Sequence, residues 1–232
     1  MTMKKASILL LSILFLSCST SKTLRFTANE NEIYTTDKLS TFLTQNKKPK
    51  VVLRVSNTST NLTDQENIDY LYNTIENQLL KSGFIVRDRQ LFNQIAGNDS
   101  NNIDYQKIKD KSDTDIIIEL TKLDPSILYK TNKYYDNNNK EKIEDYKTYE
   151  RYGASVEFKV VTIDNNEYGG VYKFNYAPCT EGCKISSSYK ELQKQNKRKQ
   201  KDDKKAYEGV EQDALEEFII NATKNLVKEM RS

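Results

Sequence analysis

Between Lys50 and Val86 the chain reads as strand, helix and strand, an order that commits it to a sheet containing parallel strands. Lys50-Val51-Val52-Leu53-Arg54-Val55 is short, β-branched and followed by turn residues, the signature of a buried strand. Thr63 and Glu66 then have the spacing of a capping box, in which each side chain satisfies an orphan backbone donor of the first helical turn. Ile68, Leu71, Tyr72, Ile75 and Leu79 recur at helical spacing and mark the face that packs on a sheet. Gly83 stands where a helix ends in the left-handed conformation, and Phe84-Ile85-Val86 forms the next strand. A right-handed crossover joins the two strands and makes them parallel.

The remaining pattern extends this unit. Asp88 to Ile95 and Ile103 to Lys111 predict shorter helices, and a third strand starts near Asp115 with Ile116-Ile117-Ile118 at its heart. After Pro125 the apolar pattern dissolves into Tyr134-Tyr135-Asp136-Asn137-Asn138-Asn139, which predicts a long loop or a protruding hairpin. Ala154, Val156, Phe158 and Val160 alternate with polar residues as a half-buried strand. Asp164 to Glu167 turn the chain into Tyr172, Phe174 and Tyr176, completing an antiparallel hairpin. Residues 187–205 are a Lys/Gln/Asp run, read as a solvated helix or insertion, or as a contact for anionic lipid or glycan. A last amphipathic helix from about Val210 presents Leu215, Phe218, Ile219, Ala222, Leu226 and Met230. The expected fold is α/β, a mixed sheet with helices packed on it, in the order β-α-β-α-β-β-β-α within a single domain. That domain covers residues 50–232, with insertions at about 125–150 and 179–208. Residues 18–49, polar with scattered apolar positions, read as a tether that docks onto the domain.

The N-terminus adds a destination. Lys4 and Lys5 precede an apolar run from Ala6 to Leu16, and small Ser17 stands before Cys18. The run is too short to span a bilayer, which needs about 20 apolar residues. The pattern resembles a bacterial lipoprotein signal, which implies that residues 1–17 are removed and that Cys18 is acylated and becomes the membrane anchor. Two or more acyl chains hold a protein stably, where one does so only marginally. Removing Lys4 and Lys5 lowers the formal charge of +3 to +1, which leaves no strong footprint for nucleic acid.

Three cysteines would leave an odd thiol in an oxidising compartment, and assigning Cys18 to lipid leaves Cys179 and Cys183 as a disulfide pair. Gly182 between them permits the positive φ of so tight a loop. The pair lacks the C-x-x-C spacing of redox motifs and has no further soft ligands beside it.

The chain contains no histidine, which removes Ser-His-Asp and Cys-His catalysis and His-ligated zinc. Asp113/Asp115, Glu141/Glu144/Asp145 and Asp202/Asp203 form carboxylate groups of the kind any highly charged surface carries. No phosphate-binding loop or calcium loop occurs, so no catalytic residue, cofactor or metal is expected. Tyrosines give a denser signal. Of the cluster between Tyr129 and Tyr152, Tyr134, Tyr135, Tyr149 and Tyr152 are candidate partner-binding residues, because tyrosine serves interfaces well; they fit equally as strand residues covering a sheet face.

Val51 to Val55, the capped helix through Lys81, and Ser82-Gly83-Phe84-Ile85-Val86-Arg87-Asp88-Arg89-Gln90-Leu91 resemble the start of the domain in the curli-secretion lipoprotein CsgG. They are similar also to the penicillin-binding-protein activator LpoB and to the amino-terminal domain of TolB. Asp113-Thr114-Asp115-Ile116-Ile117-Ile118-Glu119 resembles that group's third strand, and Val156 to Gly170 its hairpin. The resemblance implies a non-enzymatic lipoprotein of the outer membrane, facing the periplasm, that binds or regulates an envelope protein or peptidoglycan. The alternative it implies is a subunit of an oligomeric secretion assembly, a homo-oligomer. CsgG-type proteins insert two hairpins per subunit into a shared barrel, but segments 125–150 and 177–208 here are crowded with charge and lack the alternation of a lipid-facing strand.

Overall fold

The computed structural model describes residues 21–55, 66–96, 105–164, 167–185 and 209–232. The signal segment, Cys18, Thr63 of the capping box and the run 187–205 lie outside the described residues. In chain order the elements are β1 (Lys22–Leu24), β2 (Glu32–Thr35), α1 (Asp37–Gln45), β3 (Lys50–Val55), α2 (Glu66–Lys81), β4 (Ile85–Val86), α3 (Arg89–Ala96), α4 (Tyr105–Ser112), β5 (Ile116–Thr131), β6 (Lys133–Tyr135), β7 (Glu141–Ile143), β8 (Tyr149–Thr162), β9 (Glu167–Tyr176), β10 (Cys183–Ile185) and α5 (Gln212–Met230). They fall into two compact units. The larger comprises Thr27–Tyr129, Glu150–Pro178 and Tyr207–Ser232; the smaller draws on Met1–Phe26, Lys130–Tyr149 and Cys179–Ala206.

The larger unit is built on a mixed sheet of order β2-β9-β8-β5-β3-β4. β3 is parallel to both β4 and β5, as the crossover requires, while β8 and β9 form the antiparallel hairpin with Phe158 opposite Tyr172. Alternation along β3 and β5 sends side chains into two separate apolar layers. Val51, Leu53, Ile116, Ile118 and Leu120 join the main core, where α2 and α5 pack on each other, whereas Val52 and Ile117 meet Phe92 and Ile108 of α3 and α4. Helices therefore cover both faces of the central strands. Two features differ from the expectation. Residues 32–45, within the segment read as a tether, supply the edge strand β2 and helix α1, whose Leu39 and Leu43 are buried in the main core. The third strand also runs on through Pro125 to Thr131. A proline is tolerated where its missing N–H is not needed by the ladder, and the Pro125 carbonyl accepts from the Val210 N–H at 2.9 Å, just ahead of α5.

Local chemistry sets the joints. Gly83 adopts φ +89°, and the N–H groups of Gly83 and Phe84 donate to the carbonyls of Leu80 (3.0 Å) and Leu79 (3.2 Å), the paired bonds of a Schellman ending. Asp88 caps α3 by accepting the Leu91 N–H at 2.7 Å. Asp113, at φ +48°, pairs with Arg87 and, at 2.6 Å, with Lys50, which hold its carboxyl below the usual range. Asp115 accepts the Lys50 N–H at 2.7 Å. Asp113 and Asp115 thus tie β3 to the segments before β5 and after β4, while Asp88 starts α3.

One buried polar chain ties three elements together. Thr35 of β2 has a single hydroxyl hydrogen and donates it to the Glu229 carbonyl of α5 at 2.9 Å. The fully buried Tyr172 of β9, 2.9 Å from the same oxygen, must therefore be the donor to Thr35. Burial pushes the Tyr172 hydroxyl up to about 12. Removing the acceptor strands a buried donor, while removing the donor leaves Thr35 still bonded to Glu229. Thr35→Val is expected to cost about 1–3 kcal/mol in urea unfolding, and Tyr172→Phe about 1 kcal/mol. Because the folded-state value is raised, this contribution is complete below pH 10 and is lost as pH climbs towards 12. Tyr172→Phe should lack this share of the alkaline loss.

Candidate functional site

The smaller unit carries a four-stranded sheet of order β10-β1-β6-β7. Tyr134 and Tyr135 lie in a protruding hairpin of β6 and β7, with Tyr134 opposite Lys142. Its turn is made by Asp136, whose carboxylate accepts the N–H groups of Asn138 (2.9 Å) and Lys140 (3.0 Å), and by Asn139 at φ +58°. These bonds hold the Asp136 carboxyl below its ordinary range. β1 enters between this hairpin and β10, pairing Thr23 with both Tyr135 and Lys184.

The Cys179–Cys183 disulfide closes the loop that leads into β10. Cys183 is the first residue of β10 and pairs with Leu24, so the clip acts on the strand after it. Gly182 has φ +110°, and a Cβ there would stand 2.7 Å from the Thr23 side chain, which excludes any larger residue on two grounds. A ring this short constrains the unfolded chain by about 2 kcal/mol.

The structure brings three of the four candidate tyrosines together and sets the fourth apart. Tyr134, Tyr135 and Tyr149 belong to the smaller unit; Tyr152 belongs to the larger, where it packs partly buried against the main core. Each of the three is engaged by a cation within the unit. Lys22 lies 4.5 Å from the Tyr134 ring, Arg25 4.3 Å from Tyr135, and Lys147 4.9 Å from Tyr149. Lys22 also pairs with Glu144, and the buried Tyr149 donates its hydroxyl to the same carboxylate. The Lys22 ammonium, and then the Tyr149 hydroxyl, hold the Glu144 carboxyl below its usual range, and Glu144 in turn holds Lys22 up. Glu141 is likewise held down by Lys133, 2.9 Å away, with further help from the Tyr135 hydroxyl. Lys22 and Arg25 were not singled out in the sequence, because they lie more than a hundred positions from the groups they meet. Among the unit's described residues the exposed large apolar side chains are Tyr146, fully exposed, and Ile143 at 58%.

The larger unit offers a different surface. β2 forms one edge of its sheet, with Ile33 and Tyr34 exposed at 43% and 62%. Beyond the end of β2, the Asn175 N–H of β9 is satisfied by the Asn31 side chain at 2.9 Å instead of by a strand. Beside it runs a cleft of about 290 Å³ lined by Asn31, Tyr176, Glu217, Phe218, Asn221 and Asn225 among others, with the Tyr176 and Phe218 rings 5.7 Å apart. Among the described residues no group of three His, Cys, Asp or Glu side chains could hold a metal ion, and no helix is long and apolar enough to cross a membrane.

Nitration with tetranitromethane should modify Tyr146 first and leave Tyr149 and Tyr172 protected. Glu144 has a depressed folded-state value, so its contribution is present above the ordinary glutamate range and is lost as acid protonates it. Tyr149 should therefore become reactive in Glu144→Gln at neutral pH, read by peptide mass, and Tyr172 should not.

No family model matches the sequence, and no curated protein matches it. Solved structures with a similar course include a PelC dodecamer from Paraburkholderia phytofirmans, at 6% identity over 88% of this chain and 97% of that one, TM-score 0.41. Lipoprotein GNA1162 from Neisseria meningitidis aligns at 10% identity over 67% of this chain and 96% of that one, TM-score 0.36. A PDZ domain protein from Parabacteroides distasonis aligns at 9% identity over 71% of this chain and 33% of its own, TM-score 0.24. With every TM-score this low, the functional reading rests on this chain's own residues.

Proposed function

We propose that this chain is a lipid-anchored protein of the bacterial cell envelope that works by holding a partner near the membrane, without turnover of its own. The observation that carries the reading is Cys18, placed directly after a basic, apolar and small-residue series and four positions before the first strand. The Cys179–Cys183 bond fits an oxidising compartment outside the cytoplasm. The resemblance to the CsgG, LpoB and TolB group favours the outer membrane and its periplasmic side. The carboxylates that most resembled acid/base pairs are taken up in ion pairs and backbone bonds: Asp113 with Lys50 and Arg87, Asp115 with the Lys50 N–H, Glu141 with Lys133 and Glu144 with Lys22.

The partner surface in this reading is the larger unit's β2 edge with the adjoining cleft, because an open strand edge offers main-chain pairing and side-chain pockets to a protein partner. The three tyrosines of the smaller unit, by contrast, already serve contacts within it. The same β2 edge supports a second reading, in which the partner is another copy and the chain is a subunit of an assembly.

Two measurements test these statements. Labelled palmitate should enter the protein and be lost in Cys18→Ser, which should also leave the membrane fraction. A photo-crosslinker in place of Tyr34 should trap one envelope protein in cells. A ladder of the chain's own multiples, matched by oligomer mass in mild detergent, favours the assembly instead. Adducts to peptidoglycan would name the other expected partner, and a hydrolytic activity abolished by changing one carboxylate would show that the partner-holding reading names the wrong class.

A further inference from the structure

The structure shortens the distance between the anchor and the folded chain. Read as a tether, residues 18–49 would let the domain range up to roughly 110 Å from Cys18. But β1 begins at Lys22 and is held on both sides, by β10 and by β6. Four residue steps remain, and four steps span at most about 14 Å. If Cys18 carries lipid, its glyceryl group lies at headgroup level, and the first strand of the smaller unit is held within that reach of it. This inference rests on the anchor reading given above.

A sheet held so close meets the lipid surface with whatever it exposes, and what this unit exposes is suited to that. Its described residues carry eight basic and five acidic side chains. The Lys22–Glu144 pair fixes the turn that follows the edge strand β7 near the start of the chain. On that strand and turn lie Ile143 and Tyr146, the exposed large apolar side chains among the unit's described residues, flanked by exposed Lys142 and Lys147. Two acidic residues stand among them, Glu144, which is paired with Lys22, and Asp145. Tyrosine rings settle at the headgroup level of bilayers, with the ring in the acyl boundary and the hydroxyl in water. Each lysine near an anionic lipid surface adds further attraction. Burying the tyrosine and isoleucine in a headgroup layer is favourable, and the lysines beside them add attraction to anionic lipid.

We infer that the edge formed by β7 and the turn 144–147 is a membrane-surface contact: Tyr146 and Ile143 enter the headgroup layer of the lipid that holds Cys18, and Lys142 and Lys147 meet its phosphates. The anchor and this edge would then fix the smaller unit at two points, so that it lies on the membrane instead of swinging from it.

The chain contains no tryptophan, so Tyr146→Trp installs a single reporter at a position that is fully exposed. The full acylated protein is reconstituted in phosphatidylethanolamine/phosphatidylglycerol vesicles with and without brominated acyl chains, beside Tyr168→Trp on the larger unit as the reference. Tyr146→Trp should shift its emission to the blue and be quenched by brominated lipid, whereas Tyr168→Trp should do neither. Lys142→Glu with Lys147→Glu should remove most of the shift while the protein still floats with the vesicles. If the acylated protein floats but Tyr146→Trp stays as accessible to acrylamide as in buffer, the surface contact is overturned and the anchor stands. A protein that takes up no acyl chain and does not float overturns both. A blue shift that grows with protein concentration in the absence of vesicles would mean that a second copy covers the edge, and would overturn the contact as well.

Discussion

The two-sided burial of β3 and β5 is the constraint on which the larger unit depends. A strand with helices on both faces must supply apolar side chains at successive positions, and Val51-Val52-Leu53 and Ile116-Ile117-Ile118 do so, with all six essentially fully buried. At about 1.5–3 kcal/mol for each such side chain, these six outweigh any single polar contact in the unit. Near the far end of the two strands Arg54 and Glu119 are directly paired, 3.2 Å apart and largely buried, so charge holds the rung before Val55 and Leu120. Lys159, 4.0 Å from the same carboxylate, adds a second cation beside Glu119.

From that centre the sheet is finished by elements that arrive from both ends of the chain. α5, the last element, packs on α2, while β2, among the first, adds the outermost strand beside β9 and α1 buries Leu39 and Leu43 in the same core. The Tyr172–Thr35–Glu229 chain joins the two contributions. Closure of this kind leaves the sheet edge at β2 open and leaves a cleft where β2 stops short of the end of β9. These are the places where another molecule could continue the fold.

The smaller unit is organised by different forces. Its strands are three residues long and its apolar content is low, so pairing by itself would hold it weakly. Cations over tyrosine rings, the Lys22–Glu144–Tyr149 cluster and one short disulfide supply what a core would otherwise provide. The cost of this design falls on the tyrosines: rings that look like a binding surface in the sequence are spent on holding the sheet together. Tyr146 alone among them is left wholly to the solvent.

Much of the larger unit was legible from residues alone, for reasons that are local. Apolar spacing marked α2 and α5, Gly83 marked the end of α2, and a crossover of this length allows one hand, which made β3 and β4 parallel. The carboxylates of the Arg-Asp-Arg and Asp-Thr-Asp stretches gave no sign of their partners, because Arg87 meets Asp113 only after the sheet has brought β4 and β5 beside β3. Residues 21–45 were harder still. A three-residue strand such as β1 and a four-residue one such as β2 carry too little periodicity to be read, and what makes them strands is the free edge they find, at β10 and β6 for the first and at β9 for the second. The candidate tyrosines show the same division. Their density was visible in the sequence, but whether a ring faces a partner or a lysine from the other end of the chain depends on contacts across more than a hundred residues, and only the folded chain decides those.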